Sequence, residues 1–158
     1  MGNASDVSVQ SHTKLMWDLA FDEARQAAAR GEIPVGAVIV RGKTILASAG
    51  NRTLELKDPT AHAEILAIRI ACEAIGSERL TDADLYVTLE PCTLCAAALS
   101  FARIRRLYYA ASDPKGGAVE SGVRFFDAPT CHHKPDVYGG FREQEASAML
   151  RAFFAAKR

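Results

Sequence analysis

The chain has 158 residues, 49% of them hydrophobic and 24% charged, which suits one globular domain and argues against disorder. Lys plus Arg and Asp plus Glu both number 19, so a uniformly basic nucleic-acid binder is excluded and only a local basic patch could serve that purpose. No apolar run reaches the ~18 residues of a membrane span, and Met1–Gln10 lacks the basic and apolar regions of a secretory signal.

Residues 1–13, rich in small polar types, are expected to form a loose tail, with one folded domain over 14–158. From Lys14 to Arg30 apolar residues recur at helical spacing, and Gly31 is a plausible stop. Val35–Val40 and Thr44–Ser48 flank Arg41-Gly42-Lys43 and read as a β-hairpin. After a polar loop, His62–Ile75 reads as a helix closed by Gly76. Asp84–Leu89 is a strand; Pro91 opens the next helix, Cys92–Arg103; Arg105–Ala110 is a further strand. Ser112–Pro135 has weak periodicity, Asp136–Tyr138 reads as an edge strand, and Phe141–Arg158 closes the chain as a helix. Strands alternating with helices predict an α/β layered domain with parallel pairing in its second half. Cys92–Ala102 carries no charge, and His62–Ile75 very little. Helices apolar all round need cover on every side, so an oligomer is expected.

Four cysteines stand at 72, 92, 95 and 131. With no export signal a reducing cytosol is expected, where thiols act more often as ligands or nucleophiles than as disulfides. Cys92-x-x-Cys95 follows directly on a strand and starts a helix, at the carboxyl edge of the predicted sheet. A helix N-terminus favours thiolate, the metal-binding form. His62 starts another helix. Two thiolates and an imidazole make three zinc ligands, and a catalytic zinc keeps its fourth position for water. Two thiolates neutralise the ion, which then acidifies its water less, so a proton acceptor nearby would compensate. Glu64 is the candidate. Positions i and i+2 point about 200° apart on a regular helix, so His62 and Glu64 can share a site only at a frayed helix start.

His62-Ala-Glu64 followed by Pro91-Cys92-x-x-Cys95 matches the signature of the zinc-dependent nucleobase deaminases. Within them the chain resembles the bacterial tRNA-specific adenosine deaminases, which convert a wobble adenosine to inosine. The motifs that narrow it are Glu32–Ala37, Gly50-Asn51-Arg52, Asp58–Glu64, Tyr86–Cys92, Asp113-Pro-Lys115-Gly-Gly-Ala118 and Phe153-Phe154-Ala-Ala-Lys157-Arg158. The resemblance implies a three-layer α/β/α sandwich with a mixed five-stranded sheet, cytidine-deaminase-like, and a homodimer. It implies one Zn²⁺ per chain on His62, Cys92 and Cys95, with Glu64 as proton shuttle. Asn51 would contact the flipped base; Asp113, Lys115, Phe154, Lys157 and Arg158 would handle the tRNA anticodon loop. Val119–Lys134, with Cys131-His132-His133, departs from the family pattern.

Other readings stay open on the residues alone. Cys92-x-x-Cys95 could be a redox pair. A structural zinc would need a fourth ligand, which Cys131, His132 or His133 could supply. Asn51 and Asp113 also suit turns. A deaminase of a free base or nucleoside would share the zinc signature, but its small neutral substrate needs no phosphate contacts such as Lys115, Lys157 and Arg158 would make.

Overall fold

The computed structural model describes residues 4–157. The elements are α1 (Ala4–Ala29), β1 (Gly36–Arg41), β2 (Thr44–Gly50), α2 (Ala63–Ile75), β3 (Ala83–Leu89), α3 (Thr93–Phe101), β4 (Arg106–Ala111), β5 (Asp136–Gly139) and α4 (Glu143–Ala156), with a 3₁₀ turn at Phe125–Asp127. The sheet order is β2-β1-β3-β4-β5. β1 pairs antiparallel with β2 and β3, whereas β3–β4 and β4–β5 are parallel. The sheet is therefore mixed and five-stranded, with parallel pairing in its second half and β5 at an edge, as the sequence predicts.

Period-two alternation divides the core into two layers. Ala37, Ile39, Leu85, Val87 and Leu107 face α2 and α3, meeting Ala63, Ala67, Ala71, Ala96 and Leu99. Val38, Val40, Tyr86 and Ala110 face the other way, onto Met16, Trp17, Ala20 and Phe21 of α1 and Ala146 of α4. Small residues let α1 sit close to the sheet. A Cβ on Gly36 would lie 1.9 Å from the Ala20 carbonyl oxygen.

One expectation is corrected at the N-terminus. Helix α1 begins at Ala4, so residues 4–13, expected as a loose tail, are helical; residues 1–3 lie outside the described part. No Gly or Pro interrupts residues 4–30. A helix already anchored by its buried stripe gains one hydrogen bond for each further residue it orders. Among the described residues no helix is long and apolar enough to cross a membrane.

Candidate active site

Two helix starts meet at one point. His62 is the N-cap of α2, with extended backbone at φ −72°, ψ 154°, and Glu64 is the second helical residue. His62 thus stands outside the helical screw, and the i,i+2 conflict disappears. Cys92 is likewise the extended N-cap of α3, with Cys95 in the first turn. Pro91 therefore precedes the cap instead of opening the helix. The Nδ1 atom of His62 lies 3.4 Å from Cys95 Sγ and 3.6 Å from Cys92 Sγ. The three donor atoms lie within 4.8 Å of one another, and they form the one such metal-ligating group among the described residues.

The donor set fits a zinc ion in type and number: two sulfurs and an imidazole nitrogen, with no fourth protein donor joined to them among the described residues. Cys131, His132 and His133 do not supply one. The Cys131 thiol and the Ser100 hydroxyl both donate to the His133 carbonyl, at 3.1 and 2.7 Å, and the His133 ring lies 2.6 Å from the Ile104 carbonyl. That cluster staples a loop to the far end of α3. All four cysteines are free. An imidazole set against both sulfurs is what a metal site needs and a dithiol redox pair does not.

Protons in the triad are shared unevenly. The Cys92 thiol drops to about 4, because Cys95 donates to its sulfur and His62 adds its own hydrogen bond against the cost of burial. Cys95 is pushed up by giving that hydrogen bond and by burial beside Glu64. The hydrogen bond to Cys92 raises His62, against burial. Glu64 is 4% exposed, and burial lifts its carboxyl above the usual range, with the charge on Cys92 adding to the lift. A carboxylate raised in this way is suited to take a proton and return it.

A cavity of about 250 Å³ opens above these groups. Ile33, Val35, Asn51 and Thr53 line one wall; Leu89, Glu90, Asp113 and Gly116 line the other. It shares Ile33, Leu89, Asp113 and Gly116 with a depression that continues past Lys115 to Leu150, Arg151 and Phe154 on α4. Lys157 lines the outer end with Lys115 and Phe154. The structure thus brings Asn51, Asp113, Lys115, Phe154 and Lys157 to one continuous surface with His62, Glu64 and Cys92. Arg158 lies outside the described residues.

Two of these residues also have structural work. The Asn51 Oδ1 atom accepts the Ala63 N–H at 2.8 Å, and its Nδ2 donates to the Ile33 carbonyl at 3.1 Å. The Oδ1 atom of Asp113 accepts the N–H groups of Lys115 and Gly116, at 3.3 and 3.0 Å, closing a turn.

A family model for the cytidine and deoxycytidylate deaminase zinc-binding region matches residues 10–111. The tRNA-specific adenosine deaminase of Agrobacterium fabrum is 67% identical over 141 residues, 89% of this chain and 93% of that protein. The chain belongs to the tRNA-specific adenosine deaminase family. The relative of the same description from Rickettsia bellii is 44% identical over 137 residues, 85% of this chain and 94% of its own. The fold matches a solved structure from studies of A-to-I editing by tRNA:A34 deaminases at the wobble position of transfer RNA. Its TM-score is 0.86 at 66% identity, covering 87% of this chain and 99% of the other.

Two buried carboxylates in this deaminase stand in motifs that carry the resemblance, but the sequence alone assigns them no role. Glu32, 1% exposed, accepts the N–H groups of Leu54 and Glu55 and holds the loop that carries Thr53. Glu90, 2% exposed, accepts the N–H groups of Asp113, Val119, Glu120 and Ser121 and the Ser121 hydroxyl. A local signal for Glu90 is an acidic residue set between a buried strand and Pro91. Burial and hydrogen bonding oppose each other at Glu90: burial alone would raise its carboxyl, but the donors together hold it below the usual range.

Proposed function

We propose that the protein hydrolytically deaminates the wobble adenosine of a tRNA anticodon loop to inosine, releasing ammonia. The observation that carries this reading is the placement of Glu64. It is buried beside a three-donor metal site, at the floor of a cavity that continues into a cleft lined by Lys115, Arg151, Phe154 and Lys157.

His62, Cys92 and Cys95 would hold one zinc ion per chain. Bound zinc polarises a water and lowers its pKa, supplying a nucleophile near neutral pH. Glu64 takes a proton from the attacking water on a carboxylate oxygen and delivers it to N1 of adenine. A C6–O bond forms. Glu64 then takes the remaining proton from the new C6 hydroxyl and passes it to the exocyclic amine; the C6–N bond breaks as the C6 carbonyl forms, and ammonia leaves. Asn51 has committed its amide oxygen and one N–H within the protein; its second N–H is left for the base. The base must first leave its stack, which costs least in a loop that is already single-stranded. Lys115, Lys157 and Arg158 meet the phosphates, Phe154 offers a stacking face, and Asp113 acts by shaping the turn that presents Lys115.

The working form is a homodimer in the cytoplasm. On α3, Phe101 is 76% exposed and Leu94 40%, and on α2 Ile70 is 46% exposed. A second copy covering this apolar surface answers the lack of a polar face on both helices.

The test is inosine sequencing of tRNA incubated with purified protein, alongside Glu64→Ala. Inosine at the wobble position with the wild type alone is expected. A wild-type protein that binds zinc but forms no inosine would overturn the reading.

A further inference from the structure

We propose that Glu90 is a positioning residue for RNA: it holds the Asp113–Ser121 loop against the start of α3 and so sets Lys115 and Gly116 at the cavity served by Glu64. This rests on the proposed deamination of tRNA.

Glu90 is saturated. Its Oε2 accepts the N–H groups of Val119, Glu120 and Ser121 at 3.1, 3.0 and 2.9 Å. Its Oε1 accepts the Asp113 N–H at 3.0 Å and the Ser121 hydroxyl at 2.9 Å. A carboxylate has about four lone-pair sites, so five donors leave nothing for a substrate although Glu90 lines the cavity. Its charge is spent on the loop.

The grip spans both ends of the segment, from Asp113 to Ser121, with Lys115 and Gly116 between. Gly117 permits the close approach: a Cβ there would lie 2.5 Å from Glu90 Cδ and 2.6 Å from the Asp113 carbonyl oxygen. The Ala118 N–H also donates to the Pro91 carbonyl at 2.9 Å, so the loop keeps a second tether when Glu90 is changed. Cys92, a metal donor, lies two residues from Glu90. The same short segment thus carries the metal site and the wall that contacts RNA.

Glu90→Gln can keep an oxygen on the three-donor side but then turns an NH₂ toward the Asp113 N–H. Gly117→Ala pushes the loop away while leaving the carboxylate intact. The experiment measures zinc content, melting temperature, KM and kcat with an anticodon stem-loop RNA for both variants, for Lys115→Ala, and for Lys115→Ala combined with Glu90→Gln. Ser121→Ala, which removes one donor, serves as the mild variant if Glu90→Gln folds poorly.

Both loop variants are expected to raise KM about tenfold, the scale of one lost charge-assisted hydrogen bond, with kcat within about threefold and zinc unchanged. Lys115→Ala should add little in the Glu90→Gln background, because the displaced loop no longer presents Lys115. Additive effects, a fall in kcat at constant KM, or loss of zinc would overturn the proposal. A wild type that forms no inosine would instead refute the reaction, and this inference with it.

Discussion

Asn51 caps the helix that carries Glu64: its Oδ1 accepts the Ala63 N–H at 2.8 Å across twelve residues of sequence. The N-cap residue itself, His62, makes no side-chain cap, because its ring is turned to the cysteines. A residue just beyond β2 therefore satisfies the helix start that the metal site leaves open. Asn51→Ala should destabilise the fold by about 1 kcal/mol, the usual cost of a lost cap, which lowers Tm by roughly 2–4 °C in a domain of this size. Thermal melts decide it; an unchanged Tm would show the contact to be idle.

Glu64 should separate binding from chemistry. Glu64→Ala and Glu64→Gln are expected to keep zinc and RNA affinity, while single-turnover inosine formation falls by ~10²–10⁴-fold. The amide keeps the shape of the carboxylate but cannot shuttle a proton. Near-normal turnover in Glu64→Gln would refute the assigned role.

The depressed carboxyl of Glu90 predicts a pH window for stability. Its folded-state value lies below the ordinary 4.5 because the Asp113, Val119 and Ser121 donors outweigh burial. The stabilisation is complete above pH 4.5 and is lost as pH falls from there through the folded value. The Tm difference between wild type and Glu90→Gln should be constant above about pH 5 and shrink below it. A difference that stays constant to about pH 3 would contradict the sign.

Lys115 and Lys157 rim one cleft with Phe154. RNA affinity should fall with salt in proportion to a few phosphate contacts, each contributing about 0.7 to the log–log slope for single strands. Lys115→Ala is expected to lower affinity and reduce the slope by about that amount. An unchanged slope in a salt titration would remove Lys115 from the RNA surface.

The exposed Phe101 and Leu94 should lie between two copies of the chain. Sedimentation of the wild type should give a dimer, and Phe101→Glu should shift it toward monomer by burying an unpaired charge. A wild type that sediments as a monomer at all concentrations would refute the dimer.

The sequence by itself determined the chemistry and most of the elements. His62, Glu64, Cys92 and Cys95 are recognisable because ligand type and motif spacing are local properties. The strands and helices follow from periodicity within single segments. The loose tail at 4–13 was misread for a related reason: composition describes residues one by one, whereas helix propagation depends on the packed stripe further along α1. Only the tertiary structure decided how the cavity walls are built. Glu90 reaches donors 23 to 31 residues away, and Glu32 reaches Leu54 and Glu55 at 22 and 23. Nothing in a linear pattern says which backbone N–H will lack a partner once the sheet has formed. A buried carboxylate finds those orphan donors only when strand ends and loops meet in space, and there the charge that burial penalises becomes the anchor of each wall.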